Sequence, residues 1–223
     1  MLARRARIAP AEEILDVGCG TGASLIPASS VAGWATGTDV SVEMLEHVPW
    51  PVPLVAADAI ALPFRPGSYD VVLSGFVLQF VSDPVAACGE FLRVLRPGGR
   101  AVVALPEPQM AGVGDVQAEW MKRLGVPPRA RPPESFVEDA FREAGFAYVE
   151  KGADEHTFTF SSGEEYVRWQ WTHGGRALLS QIPEDQRSAF EADVAAAAEG
   201  NRDGDVIPMP TTSHFWVGVT ATD

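Results

Sequence analysis

Residues 13–22, with the sequence EILDVGCGTG, constrain the fold more than any other stretch of this chain. A short apolar run ends in an acid, Asp16, and glycines follow at positions 18, 20 and 22. Because glycine has no Cβ, such a turn can adopt positive φ angles and let the backbone approach a ligand closely. The first turn of the helix that follows would offer unpaired N–H groups. The stretch therefore predicts a strand, a tight turn and a helix start that together hold a polar ligand.

Glycine-rich turns of this kind occur in more than one class of nucleotide-binding protein. Gly18, Gly20 and Ala23 fit the dinucleotide fingerprint. Asp39 follows about 20 residues later, where that fingerprint has an acid. Asp16 argues against a dinucleotide, because a carboxylate two residues before the first glycine would repel a pyrophosphate. It suits a ligand that carries an ammonium or sulfonium group.

Strand and helix signals alternate over residues 13–105, which favours a parallel sheet with flanking helices. The predicted strands there are residues 14–17, 34–39, 52–57, 69–74 and 101–105, with helices starting near 23, 41 and 83. Arg96-Pro97-Gly98-Gly99 is expected to end the last of these helices. Beyond residue 105 the predicted helices are 116–124, 133–144, 163–180 and 183–199, and the predicted strands are 146–149, 156–160 and 214–220.

Three aspartates fall at the predicted carboxyl ends of strands: Asp16, Asp39 and Asp58. In an open parallel sheet, ligands bind at these ends, near the point where the strand order reverses. Three separately placed acids at one edge point to a ligand with several polar groups more strongly than the glycines do alone.

Taken in order, these segments resemble the motifs of the class I S-adenosylmethionine-dependent methyltransferases, of the small-molecule, methyltransferase type 11 (UbiE-like) group. Residues 16–22 (DVGCGTG) resemble the first motif, and Asp39 in TDVS resembles the acid of the second. Asp58 and Ala59 in AADAIALPF resemble the third motif. The later matching segments are residues 68–72 (SYDVV) and 92–100 (LRVLRPGGR).

The resemblance implies an α/β fold: a Rossmann-like, doubly wound, seven-stranded sheet, mostly parallel, with an antiparallel final hairpin. It implies S-adenosyl-L-methionine as cofactor and S-adenosyl-L-homocysteine as product. Asp39 would accept hydrogen bonds from both ribose hydroxyls, and Asp58 one from the adenine amino group. The implied cofactor-binding residues are Asp16, Gly18, Cys19, Gly20, Asp39, Val40, Met44, Asp58, Ala59, Ser74, Gly75 and Phe76.

Methyl transfer from a sulfonium is an in-line displacement, so the protein mainly supplies positioning and a dry cavity. An acceptor that loses a proton makes histidine the first residue to consider. His173, in the family-like segment 165–174 (EYVRWQWTHG), is the predicted catalytic residue; a histidine at a helix end is the alternative. His156 is a second candidate for the pocket. The predicted substrate-binding residues are Trp169, Trp171 and Gln79, with core packing as the alternative for the tryptophans.

The chain is expected to form a single methyltransferase domain over residues 1–223, with insertions at 106–132 and 161–212 that build a lid or acceptor pocket. About a dozen residues precede the first strand, where relatives usually carry a helical segment over the cofactor. We expect a more open pocket, a cover supplied by the insertions, or a chain that starts late. The arginines at positions 4, 5 and 7 are expected to lie in a solvated tail.

The composition disfavours several classes of partner. The net charge is −13, and no stripe of lysine or arginine supplies the charge that nucleic-acid binding needs. No apolar run approaches the ~20 residues of a membrane span. The cysteines, Cys19 and Cys88, have no histidine cluster nearby, so neither a zinc site nor a disulfide framework is predicted. We expect a cytoplasmic monomer or homodimer with a small-molecule acceptor, no nucleic-acid or membrane partner, and no metal.

The predicted function is methyl transfer from S-adenosylmethionine to a small, aromatic or hydrophobic metabolite. A non-catalytic or repurposed, cyclase-like member of the fold that still binds S-adenosylmethionine is one alternative. A nicotinamide-dependent oxidoreductase is the other, although Asp16 and the lack of a clear Tyr/Lys or histidine pair argue against it.

Overall fold

Apolar strands and amphipathic helices alternate along the chain in the computed structural model, which describes residues 2–49, 51–127, 133, 135–172 and 179–222. The strands are β1 (Glu13–Val17), β2 (Trp34–Asp39), β3 (Leu54–Ala56), β4 (Tyr69–Gly75), β5 (Leu95–Pro108), β6 (Tyr148–Phe160) and β7 (Ile207–Val219). The helices are α1 (Leu2–Arg5), α2 (Leu25–Ser29), α3 (Val42–Glu46), α4 (Pro84–Val94), α5 (Val113–Arg123), α6 (Phe136–Ala144), α7 (Gly163–Thr172) and α8 (Glu184–Glu199), with a 3₁₀ turn at Leu78–Phe80.

The strands form one seven-stranded sheet in the order β3-β2-β1-β4-β5-β7-β6. β1 pairs in parallel with β2 and β4, β2 with β3, and β4 with β5. The last three strands of the order, β5, β7 and β6, form the antiparallel part. The strand order reverses between β1 and β4, which places a crevice at their carboxyl ends. The predicted doubly wound, mostly parallel α/β fold is confirmed.

The bounds of β5, β6 and β7 differ from the predicted ones by several residues. β5 begins at Leu95 rather than at residue 101, because the end of the chain pairs with its glycine segment. There Gly98 donates its N–H to the carbonyl of Ala221 at 2.9 Å, and Thr220 donates to the carbonyl of Gly99 at 2.9 Å. β6 is continuous over Tyr148–Phe160 instead of two short pieces. β7 begins seven residues before the predicted start at 214, at Ile207.

The chain groups into two compact units. The first unit comprises Met1–Leu105, Pro132–Asp154 and His214–Asp223; the second comprises Pro106–Arg131 and Glu155–Ser213. The first unit buries apolar side chains in two clusters, one with Leu15 and Val72 and the other with Ile14 and Leu73. The second unit has a cluster of its own, which includes Phe190. The predicted single domain with insertions at 106–132 and 161–212 stays a prediction.

The N-terminal segment is anchored to the first unit, so the expectation of a solvated tail is wrong. Leu2 and Ala6 are buried. Arg5 forms an ion pair with Asp154, and its guanidinium lies 4.1 Å from the ring centroid of Phe215. An apolar pair four residues apart and one paired arginine contribute to the docking of this short helix.

Membrane insertion by a helix finds no support in the described part of the chain, where none is both long and apolar enough to cross a bilayer.

Candidate functional site

The glycine turn after β1 has the backbone geometry that the sequence predicts. Gly18 and Gly20 adopt φ angles of +70° and +54°. A Cβ on Gly18 would lie 2.3 Å from Cγ2 of Val77, so glycine is required there by space as well as by conformation. The N–H of Cys19 donates to the carbonyl of Thr38 at 2.8 Å and ties the turn to β2. The turn is therefore fixed by Val77 on one side and by its hydrogen bond to β2 on the other.

Asp16 is the most unusual group in the first unit. Its side chain is 1% exposed, and neither carboxylate oxygen has a hydrogen-bond partner among the described residues. Burial, followed by the charge of Asp39, raises the pKa of Asp16 to about 7. A buried carboxylate without a donor is costly, so its place beside the glycine turn fits a ligand that brings a cation or a hydrogen-bond donor.

Asp39, the last residue of β2, organises the next part of the site. Its carboxylate accepts hydrogen bonds from the N–H groups of Gly20 and Ser41, both at 2.9 Å. Each carboxylate oxygen can accept a further bond, so the group can still receive two hydroxyls of a diol. The Ser41 hydroxyl accepts from the N–H of Met44 at 3.3 Å and caps α3.

Two apolar side chains accompany Asp39. The terminal methyl of Met44 lies 3.4 Å from the position that a Cβ of Gly20 would take, so this side chain covers the turn. Val40 is 77% exposed. An exposed valine next to a strand-end carboxylate offers an apolar contact to a flat ring.

Asp58 and Ala59 follow β3, which ends at Ala56 rather than at residue 57. The carboxylate of Asp58 is exposed and accepts from the N–H of Ile60 at 3.2 Å. Ala59 is buried. Asp58 therefore lies two residues past the strand end, next along the same sheet edge from Asp39.

The carboxyl end of β4 supplies Ser74, Gly75 and Phe76. Ser74 is fully buried, and its hydroxyl has no partner in the described part of the chain. Phe76 is exposed and adopts φ of +62°, while its N–H donates to the carbonyl of Ala104 at 2.8 Å. Positive φ in a bulky residue is strained, and such strain clusters at functional sites.

Sequence reasoning missed two neighbours of this region. A Cβ on Gly75 would lie 2.6 Å from Cδ1 of Leu2, so the Leu2 side chain fills the space above that glycine. Val77 lies against Gly18 in the same way. The apolar spacing of Leu2 and Ala6 was the signal available for the first contact, and no local pattern marks the second.

Cys19 is buried in the turn, and burial, followed by Asp16 and Asp39, raises the pKa of its thiol. It therefore stays protonated and is no nucleophile. The described residues include no group of three or more histidine, cysteine, aspartate or glutamate side chains placed to hold a metal ion.

The predicted acceptor residues are divided between the units. Gln79 lies half-buried in the 3₁₀ turn of the first unit. Trp171 belongs to the second unit, where its indole N–H donates to Glu191 at 2.7 Å and Arg187 lies 5.1 Å over its ring. Trp169, also in the second unit, packs against aromatic rings of β6. His173 lies outside the described residues.

Comparisons with known proteins identify the family and the fold of the chain. Residues 15–103 match the family model described as a methyltransferase domain. A demethylmenaquinone methyltransferase of Mycobacterium tuberculosis is 33% identical over 177 residues, which are 78% of this chain and 75% of that protein. Another from Streptomyces avermitilis is 36% identical over 57% of this chain, and the chain spans 58% of that relative. The YcgJ protein of Bacillus subtilis shares the fold, with a TM-score of 0.64 at 18% identity over 98% of this chain and 96% of that one.

Proposed function

The chain belongs to the class I S-adenosylmethionine-dependent methyltransferase family, and from that premise we propose that it methylates a small aromatic or hydrophobic metabolite. S-adenosylmethionine is its cofactor and supplies a methyl group on a sulfonium. The observation that carries the proposed cofactor site is Asp16, a buried carboxylate with no hydrogen-bond partner among the described residues, next to the glycine turn.

The described residues fit the chemical groups of this cofactor. The Asp16 carboxylate would bind the positively charged amino group at the methionine end of the cofactor. This contact would offset the desolvation cost of the ionised carboxylate. Asp39 would receive the two ribose hydroxyls on the lone pairs left free by Gly20 and Ser41. Asp58 and Ala59 would bind the adenine, with Val40 and Met44 on its face. Ser74, Gly75 and Phe76 would bound the end that carries the methyl group.

The protein's contribution to the reaction is positioning and the exclusion of water, because the displacement needs no nucleophile from the enzyme. His173 is proposed to take the proton that the acceptor loses, and Trp169, Trp171 and Gln79 to contact the acceptor. Support for an aromatic or hydrophobic acceptor comes from the relatives, which are named as demethylmenaquinone methyltransferases and so act on a quinone.

Calorimetric titration with S-adenosylhomocysteine, the product, tests the cofactor site. We expect micromolar binding to the protein and none of NADH. Asp16→Asn and Asp39→Asn should each lower the affinity for S-adenosylhomocysteine at least about tenfold, since each removes a charged hydrogen-bond partner. Glu46→Gln is the matched control, because Glu46 is an exposed acid at the end of α3. Binding of NADH, or an unchanged affinity of Asp16→Asn for S-adenosylhomocysteine, would contradict the proposed cofactor site.

Turnover tests the reaction itself. The protein is incubated with methyl-labelled S-adenosylmethionine and a panel of hydroxylated aromatic compounds, and transfer of label with release of S-adenosylhomocysteine is measured. Transfer to any of them supports the proposal. Tight binding of S-adenosylhomocysteine without transfer to any compound would favour the repurposed, cyclase-like alternative.

A further inference from the structure

Two of the proposed cofactor residues lie in the connection between β3 and β4, residues 57–68. The structure describes every residue of this connection, which contains turns but neither a helix nor a strand. Asp58 and Ala59 belong to its first turn, where the N–H of Ala61 donates to the carbonyl of Asp58 at 3.0 Å. Because the connection is not part of the sheet, its backbone groups need partners from elsewhere in the protein.

Two side chains of α4, Glu90 and Arg93, supply such partners. Glu90 accepts a hydrogen bond from the N–H of Leu62 at 2.7 Å. The Arg93 guanidinium donates to the carbonyl of Leu62 at 2.9 Å and to the carbonyl of Phe64 at 2.7 Å. Both backbone groups of Leu62 are therefore bonded to side chains of α4, in the place of a neighbouring strand.

Glu90 and Arg93 also bind each other. Nε of Arg93 donates to one carboxylate oxygen of Glu90 at 2.6 Å, and Nη2 donates to the other at 2.7 Å. The two side chains are only 19% and 32% exposed. The hydrogen bonds from Arg93 lower the pKa of Glu90, so this carboxylate stays ionised. The planar guanidinium thus bonds an acid and two carbonyls at once, which a lysine ammonium cannot reproduce.

The backbone of α4 fixes the far end of the connection. The N–H of Gly67 donates to the carbonyl of Arg93 at 3.0 Å, and the N–H of Ser68 donates to the carbonyl of Val94 at 2.8 Å. The apolar side chains of the connection add to this attachment, because Ala59 and Leu62 are buried in the same cluster as residues of α4. The connection is therefore positioned by α4 through side chains, backbone and core packing.

Asp58 depends on this attachment for its orientation. Its carboxylate is exposed, and the hydrogen bond that it accepts comes from Ile60 at 3.2 Å, within the same connection. The direction in which the carboxylate faces therefore follows the placement of the connection as a whole.

We propose that Glu90 and Arg93 are positioning residues for the adenine of the cofactor, and that they make the site selective for a base with a 6-amino group. They fix the connection so that Asp58 accepts a hydrogen bond from that amino group. The inference rests on the proposed function, because it concerns the same cofactor site. It assigns a role in cofactor selectivity to two residues outside the predicted cofactor set.

Two ligands measure this selectivity by calorimetric titration. One is S-adenosylhomocysteine, and the other is its purine analogue, which has a hydrogen atom in place of the 6-amino group. We expect the unchanged protein to bind S-adenosylhomocysteine at least about tenfold more tightly, since the analogue lacks the hydrogen bond to a charged acceptor. Equal affinity for the two ligands would overturn the inference.

Arg93→Ala removes the bonds to both carbonyls of the connection. It should lower the affinity for S-adenosylhomocysteine about tenfold and that for the purine analogue less than about threefold, so that the selectivity is largely lost. Arg96→Ala is the matched control, because Arg96 is 37% exposed and pairs with Glu13 at 2.5 Å and Asp70 at 2.6 Å, outside the connection. It should keep the selectivity. An equal loss of affinity for both ligands in Arg93→Ala would indicate a merely structural role and overturn the inference.

Arg93→Lys decides the question if Arg93→Ala does not fold, which loss of binding of both ligands would report. The lysine keeps a positive charge beside Glu90 but cannot bond both carbonyls, so the selectivity should fall at least about threefold. Unchanged selectivity in Arg93→Lys would contradict the positioning role.

A double-mutant cycle tests whether Arg93 acts through Asp58. Asp58→Ala alone should remove the selectivity. Adding Arg93→Ala should then lower the affinity for S-adenosylhomocysteine by less than about threefold, because both changes remove the same hydrogen bond to the ligand. Losses that multiply in the double variant would overturn the inference.

The unchanged protein distinguishes the failure of this inference from the failure of the proposed function. Normal binding of S-adenosylhomocysteine, with a selectivity that Arg93→Ala does not alter, overturns the positioning role alone. No binding of S-adenosylhomocysteine to the unchanged protein overturns the proposed function itself.

Discussion

The carboxyl group of Asp16 is buried without a hydrogen-bond partner among the described residues, so its ionised form costs folding free energy. Burial, and then the charge of Asp39, raise its pKa from the ordinary value of 3.8 to about 7. Between these values the folded protein binds more protons than the unfolded chain does. The contribution of Asp16 to the free energy of unfolding therefore falls as pH rises from about 4 to about 7, by about 4 kcal/mol.

Asp16→Asn is expected to stabilise the ligand-free protein above about pH 7, by up to about 4 kcal/mol, because the neutral amide never has to ionise. The gain should shrink as the pH falls from about 7 and approach zero below about pH 4, where the carboxyl becomes protonated in both states. Urea unfolding of both proteins across this range measures the difference. A difference that does not vary with pH would show that Asp16 does not titrate in this window.

The conformation of Gly18 leads to a second prediction for a single residue. Gly18→Ala places a Cβ in a left-handed conformation and 2.3 Å from Val77, so we expect a loss of about 3 kcal/mol in the free energy of unfolding. Gly67→Ala is the matched control, since Gly67 has φ of +63° and nothing within 4 Å of its Cβ position. It should lose only about 1 kcal/mol. Equal losses in urea unfolding would show that Val77 moves aside freely.

Single residues were predictable from the sequence where a local motif imposes their chemistry. The acid before the glycine turn and the acid after β2 were identified because each falls at a strand end with a recognisable neighbour pattern. The contact between Leu2 and Gly75 was not predictable, because it joins residues more than 70 positions apart and depends on how α1 packs. The side-chain environment of Asp16, which sets its pKa, likewise exists only in the folded chain.

Among the elements, the N-terminal segment depends on one arginine of β5. The Arg100 guanidinium donates to the carbonyls of Ala6 and Arg7, at 2.5 and 3.0 Å, and pairs with Glu12 at 2.7 Å. The hydrogen bonds from the Arg100 guanidinium to Glu12 also hold the pKa of that carboxyl below its ordinary range. Because the side chains of Arg100 and Glu12 are largely shielded from water, their pairing is stronger than that of a surface ion pair.

Arg100→Ala is therefore expected to lower the free energy of unfolding by about 2 kcal/mol. It should also speed amide hydrogen exchange at Ala6, whose N–H donates to the carbonyl of Leu2 within the anchored segment. Arg142→Ala is the control, because Arg142 is 71% exposed and pairs with Asp139 on the surface of α6. It should change the free energy of unfolding by less than about 0.5 kcal/mol. Unchanged exchange at Ala6 in Arg100→Ala would mean that the contacts of Leu2 and Arg5 hold α1 without Arg100.

The strands of the parallel part were predictable because buried parallel strands are continuous apolar runs, as in Val71-Val72-Leu73. The strand ends in the antiparallel part were not. Prolines at 208 and 210 concealed the start of β7, although Ile207 and Met209 are buried on one face. Charged residues over 150–155 concealed the continuity of β6, which lies at the edge of the sheet.

At the scale of the whole molecule, each compact unit encloses apolar clusters of its own. Phe91 is fully buried in the first unit, and Phe190 is fully buried in the second. Regions with separate cores open as separate cooperative units in hydrogen exchange. The proposed cofactor residues all belong to the first unit, so ligand binding should protect that unit selectively.

Matched core truncations test this division. Phe91→Ala and Phe190→Ala should each lower the free energy of unfolding of their own unit by about 3–5 kcal/mol, because each leaves a cavity of the same kind. Phe190→Ala should speed amide exchange in α8 while β1 and β4 stay protected and S-adenosylhomocysteine still binds. Phe91→Ala should speed exchange in β1 and β4, and S-adenosylhomocysteine at about 100 times its Kd should restore about 2.7 kcal/mol of protection there. Faster exchange throughout the chain in both variants would instead show that the two clusters unfold as one cooperative core.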